Sequence, residues 1–167
     1  MSVLDILAYP SEQLKKLSET VEQVDEQLLA FIRDLEETRL SGPGAVGIAA
    51  PQVNVHQRVV IVDVSNMKKP CENHGHMIMI NPEITEWDGM AMGREGCLSV
   101  PDFTGNVIRA ERIVLNYMDE TGEKHEISSS GFEARAIQHE LDHLDGLLFL
   151  DRLVSRRTDL FQRKIYK

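Results

Sequence analysis

The sequence predicts an α+β fold, a small single domain of antiparallel strands packed around one late helix. Three observations predict it: short apolar runs bounded by turn residues, a hairpin signal after residue 110, and a periodic helix that begins near residue 132. The 167 residues, 42% hydrophobic and 27% charged, suit a single core-bearing domain spanning 1–167. No internal repeat, low-complexity tract or linker divides them, so strands and helices should pack as one layered unit.

Taken in order, Asp25 can cap a helix in which Leu28, Ile32 and Leu35 recur on one face, and that helix should stop before Ser41-Gly42-Pro43-Gly44. Val59–Val64 and Met77–Asn81 are apolar runs of strand length, each closed by turn signals. The glycine in Glu95-Gly96-Cys97-Leu98-Ser99 marks a strand edge or turn. Arg112–Met118 and Lys124–Ile127 flank Asp119-Glu120-Thr121-Gly122, which reads as a hairpin. A helix over Phe132–Leu144 runs into Leu147, Leu148, Phe149 and Leu150, so it lies where the chain is being buried. At the end, Val154, Phe161 and Ile165 fall at helical spacing. They predict an amphipathic helix whose outward face carries Arg152, Arg156, Arg157, Arg163, Lys164 and Lys167 against Asp159.

A net charge of −9 excludes a general nucleic-acid binder, so no DNA partner is expected. The opening Met1-Ser2-Val3-Leu4-Asp5 has neither the basic stretch nor the apolar run of a targeting peptide, and no window is apolar enough to span a membrane. Two cysteines, one wanted as a thiolate, fit a reducing cytoplasm. Cys71 sits in a polar stretch with His74 and His76 that reads as a loop, without a rigid element to hold a metal.

The chemistry concentrates in Gln138-His139-Glu140-Leu141-Asp142-His143-Leu144-Asp145-Gly146. On a helix, His139 and His143 stand one turn apart on one face and can share an ion, while Glu140 is placed to move a proton. The late helix is therefore expected to be a metal-binding helix. The bare spacing also arises on amphipathic helices, where both histidines are ordinary surface or core groups. A catalytic site needs a third protein ligand and an open position, and Cys97 is the best candidate. Thiolate and imidazole together suit zinc, iron(II), cobalt or nickel.

Glu95-Gly96-Cys97-Leu98-Ser99, followed by Gln138 through Gly146 and preceded by Gly47-Ile48-Ala49-Ala50-Pro51-Gln52, resembles the three ordered signatures of the peptide deformylases. The similarity continues through Gly146-Leu147-Leu148-Phe149-Leu150-Asp151-Arg152 and covers nearly the whole chain. It departs in two places: Ala45 stands where the first signature usually has a glycine, and Thr104 where well-known bacterial members carry an arginine, with Arg109 and Arg112 as nearby substitutes.

The resemblance implies a hydrolase that removes the formyl group from the N-terminal formyl-methionine of new peptides. It implies Cys97, His139 and His143 as metal ligands, with Fe(II) in the cell and Zn, Ni or Co as replacements. Glu140 would be the general base, and the Gln52 side-chain amide and the Leu98 backbone N–H the oxyanion donors. Gly47 and Gly96 would present backbone to the peptide. Val46, beside Gly47, and Phe132 and Ala136, one to two turns before the histidines, would wall the methionine pocket. Ser99 and Gln138 read as local hydrogen-bond partners. In some members a C-terminal helix docks on the ribosome, a role the basic segment could take. Two other readings stay open: a general zinc protease, and a non-catalytic relative that keeps the metal and binds peptides.

Overall fold

The protein is described as a computed structural model covering residues 2–42 and 44–163. Asp25 opens the first helix, α1 (Glu26–Ser41), by accepting a hydrogen bond from the Leu28 N–H at 2.8 Å. The helix includes Ser41, one residue past the expected stop, before Gly42 turns extended. The strands follow as β1 (Gly47–Ala49), β2 (Val59–Val62), β3 (Met77–Asp88), β4 (Ala91–Cys97), β5 (Val100–Arg109), β6 (Arg112–Met118) and β7 (Lys124–Ser130). Then come the second helix, α2 (Gly131–Leu144), and a last short strand, β8 (Leu160–Gln162).

Two antiparallel sheets result, one in the order β1-β2-β3-β6-β7 and one in the order β4-β5-β8. The larger is covered on both faces, and the alternation of β2 explains how. Val59 and Ile61 join Leu28, Ile32 and Leu35 of α1 on one face. Val60 and Val62 join Ala134, Ile137, Leu141 and Leu144 of α2 on the other. A strand buried on both sides reads as the continuous apolar run seen in the sequence.

The hairpin between β6 and β7 forms as expected, with Asp119 Oδ1 accepting from the N–H groups of Thr121 and Glu123 across the turn. Other boundaries move. β3 runs on to Asp88 beyond the expected Asn81, through polar residues that pair with β6 across two register shifts. Of the small sheet only the strand edge or turn at Gly96 was expected, because β4 is glycine-rich and its buried positions are Glu95 and Cys97 rather than apolar residues.

Among the described residues the expected C-terminal amphipathic helix does not form: past Leu153 only Arg156–Asp159 is helical, and Leu160–Gln162 pairs with β5, placing Phe161 opposite Thr104. The open edge of β5 satisfies backbone groups there, whereas so short a helix without a buried apolar stripe is marginal. Val154 is exposed and Arg152 is tied to Asp142, so neither plays its expected part. Lys164, Ile165 and Lys167 lie outside the described residues. Among the described residues no helix is long and apolar enough to cross a membrane. Cys71, His74 and His76 do not converge: His74 binds Glu133, and His76 pairs with Glu36.

Candidate metal centre

The end of β4 faces the middle of α2, and this one juxtaposition assembles the site. Cys97 Sγ lies 3.4 Å from His143 Nε2, and single donor atoms of Cys97, His139 and His143 all fall within 4.8 Å of one another. All three residues are buried. Helical spacing turns both imidazoles toward β4, their ring centroids 5.2 Å apart.

Glu95 positions the centre, a role the sequence reading missed. Being two residues before Cys97 on one strand, it points to the same side, and its Oε1 holds His139 Nδ1 at 2.8 Å. His139 therefore presents Nε2 to the cavity, as metal-ligating histidines do when the other nitrogen is anchored on a carboxylate. Glu95 also receives a two-pronged pair from Arg109, at 2.9 Å each, and one bond from Arg135 at 2.7 Å. Asp142 extends the network by accepting from Arg109 and Arg152. Burial works against ionisation of Glu95, but the hydrogen bonds from Arg109 and His139 overcome it and hold the carboxyl well below its ordinary range.

The histidines differ electrostatically. Burial, reinforced by the charges of His139 and Arg109, pushes His143 well below its usual value, so it is a neutral imidazole ready to donate a lone pair. Burial opposes protonation of His139 too, but Cys97, Glu95 and Glu140 outweigh it and raise its affinity for a proton. A cluster of one thiol, two imidazoles and nearby carboxylates that favours positive charge fits a divalent ion taking the place of protons.

Glu140 is 4% exposed, and its Oε1 is buried without a hydrogen-bond partner. Burial pushes its carboxyl up to about 7, against the opposing charge of His139. Gly47 leaves the room for it: a Cβ there would come 2.6 Å from Glu140 Oε2, closer than real contacts allow. Gln52 is fixed by the Ala49 N–H, which donates to its Oε1 at 2.9 Å. Its Nε2 points to Cys97 Sγ at 3.6 Å and Ser99 Oγ at 3.1 Å. Ser99 thus serves as a local partner. Gln138 does so as well, bonding Ala110 N and O on the turn between β5 and β6.

A cavity of about 240 Å³ opens beside these groups. Val46, Gly47, Gly96, Leu98, Phe132 and Ala136 all line it. Met67 and Arg94 line it too and carried no sequence signal, and Arg163, expected on an outward basic helix face, lines it from the strand end instead. Arg109 and Arg112 do not stand in at the position of Thr104. The first is locked in the buried network, and the second pairs with Asp88 on the surface.

Three protein donors, an adjoining cavity and a buried carboxylate beside them make the class that of a metal-dependent hydrolase rather than a closed structural metal site. Known proteins agree. The family described as Polypeptide deformylase matches residues 3–159. A peptide deformylase of Thermodesulfovibrio yellowstonii is 41% identical over 98% of this chain and 97% of its own. That of Neisseria meningitidis is 41% identical over 100% of this chain and 96% of its own. Among solved structures, the peptide deformylase of Ehrlichia chaffeensis in complex with actinonin superposes with a TM-score of 0.87 at 36% identity, covering 94% of this chain and 92% of that one. The enzyme of Thermotoga maritima gives 0.84 at 36%, covering 93% and 100%. The chain belongs to the polypeptide deformylase family, whose members are metal-dependent enzymes.

Proposed function

We propose that the protein hydrolyses the formyl group from the N-terminal formyl-methionine of newly synthesised chains in the cytoplasm, using Fe(II) held by Cys97, His139 and His143. The observation that carries the reading is the convergence of those three donors near the Glu140 Oε1, which has no hydrogen-bond partner, beside a cavity that Cys97, His139 and Glu140 line. A divalent ion bound there supplies Lewis-acid activation of carbonyl and water. Glu140 takes the proton of the attacking water and returns it to the departing amine. The Gln52 amide and the Leu98 backbone N–H stabilise the charge that develops on the formyl oxygen. Gly47 and Gly96 present backbone to the peptide, and Val46, Phe132 and Ala136 enclose the methionine side chain. Metal-loaded protein should release formate from formyl-Met-Ala-Ser; internal cleavage would indicate a protease, and no reaction a peptide-binding relative.

Fe(II) is the ion the family resemblance implies; the mixed thiolate and imidazole set accepts Zn, Ni or Co as well, so the donors alone do not choose among them. Cys97→Ser is expected to change metal content or metal preference first, since a hydroxyl is a hard, poorly ionised ligand. Metal analysis after loading with equal Fe(II) and zinc reads this directly. Unchanged content and activity would take Cys97 out of the site.

Ribosome contact rests on a narrower base than an amphipathic helix. Arg156 and Arg157 remain exposed on the short helical turn. Reversing both to glutamate should weaken co-sedimentation with ribosomes at low salt, where phosphate contacts are strongest, while a short formyl-peptide is still hydrolysed. Co-sedimentation indifferent to the reversal would end the idea.

A further inference from the structure

We propose that Arg163 is a specificity-determining residue that selects formyl-methionyl chains with an acidic side chain soon after the methionine; this rests on the activity proposed above. Strand β8 puts it in place. Its backbone N–H donates to Asp102 O at 2.8 Å, continuing the ladder in which Gln162 faces Phe103. The guanidinium is thereby set over the exposed backbone of Gly96: a Cβ on that glycine would lie 2.7 Å from Arg163 Nη2. Gly96 immediately precedes the ligand cysteine, and both border the same cavity as Glu140. An extended peptide whose formyl end reaches Glu140 and whose backbone follows Gly96 must carry its next residues past this cation.

A second guanidinium reinforces the first. Arg94, two residues before Gly96 on β4, lies over the Phe161 ring at 3.6 Å and donates from Nε to Asn106 Oδ1 at 3.1 Å. Among the described residues, the hydrogen-bond partners of Arg94 and Arg163 are neutral: Asn106, Thr104 and the Phe103 carbonyl. Arg135, which lines the same cavity, is by contrast neutralised by Glu95. In a chain of net charge −9, two exposed guanidiniums at one cavity mouth, with no acidic partner among the described residues, create a local field for anions. A growing chain has no free carboxylate near its start, so the anion that reaches this mouth is the side chain of Asp or Glu. A lysine there meets repulsion instead.

The test compares C-terminally amidated formyl-methionyl peptides bearing Asp, Ser or Lys in the two positions after methionine, hydrolysed by the metal-loaded enzyme. Wild type should rank acidic above neutral above basic in kcat/KM, by up to about fivefold per step, the upper range of an exposed charge pair. The differences should lie in KM and flatten as salt is raised. Arg163→Glu should invert the ranking, which a purely structural role would not do, and Arg163→Lys should keep it in weakened form. Equal kcat/KM for all three peptides, or a ranking that survives Arg163→Glu, would overturn the inference while leaving the activity intact. No formate from any peptide would instead bring down the activity itself, and the inference with it.

Discussion

Replacing Glu140 by alanine is expected to lower formate release by about a hundred- to ten-thousand-fold, the usual worth of a positioned proton-transfer group. Metal content should stay the same, because the donors are Cys97, His139 and His143 and Glu140 is not among them. The physical basis is geometric. The carboxylate is buried, one oxygen lacks a hydrogen-bond partner, and the other occupies the space that a Cβ on Gly47 would need. A group kept out of water without a hydrogen bond is costly, so its persistence in the cavity points to work done when a substrate is present. Glu140→Gln should lose as much, since it preserves shape and not basicity. Formate kinetics beside metal analysis decide the matter: near-normal turnover would remove Glu140 as base, and a parallel loss of metal would make it a ligand.

Glu95→Ala should have the largest effect on stability and a second effect on the metal. It leaves Arg135 buried without its carboxylate and Arg109 with Asp142 alone. Breaking a buried charge pair from one side costs about 3–5 kcal/mol. For a chain of this size each kcal/mol moves Tm by about 2–4 °C, so the melting temperature should fall by on the order of 10 °C. His139 also loses the partner that orients it, a loss typically worth about 10–100-fold in metal affinity. Glu95→Gln separates the two effects: it still accepts from His139 Nδ1 but cannot balance the guanidiniums, so it should spare metal affinity more than stability. Thermal melts and chelator competition measure each part, and a Glu95→Ala protein with wild-type Tm would show that the network contributes nothing.

The parts of the site that were legible in the sequence are those whose geometry is local. His139, Glu140 and His143 could be placed relative to one another because a helix repeats every 3.6 residues, about one turn from one histidine to the next. Cys97 stood out through its glycine neighbour and the resemblance it completes. Glu95 has no role in the sequence reading although it opens that motif, because a carboxylate at an inward strand position looks exposed until its arginine partners are known. Those partners come from β5 and α2, 14 and 40 residues away. Arg109, expected as a substitute for the arginine that Thr104 replaces, is buried in that network for the same reason.

Sequence alone therefore determined which residues are apolar on which face, where α1, β2, the β6–β7 hairpin and α2 form, and which donor types lie near one another along the chain. Tertiary structure decided what the ends of those elements meet. The tail shows this most plainly: residues 160–162 have a spacing compatible with a helix, yet they form a strand because β5 presents an unsatisfied edge beside them. Local pattern reports the preference of a segment in isolation, whereas a free sheet edge offers backbone hydrogen bonds that no local pattern encodes. The same packing brings Cys97 to His143 across 46 residues and sets Arg163 over Gly96, because contacts between distant segments depend on how layers stack and not on spacing within either one.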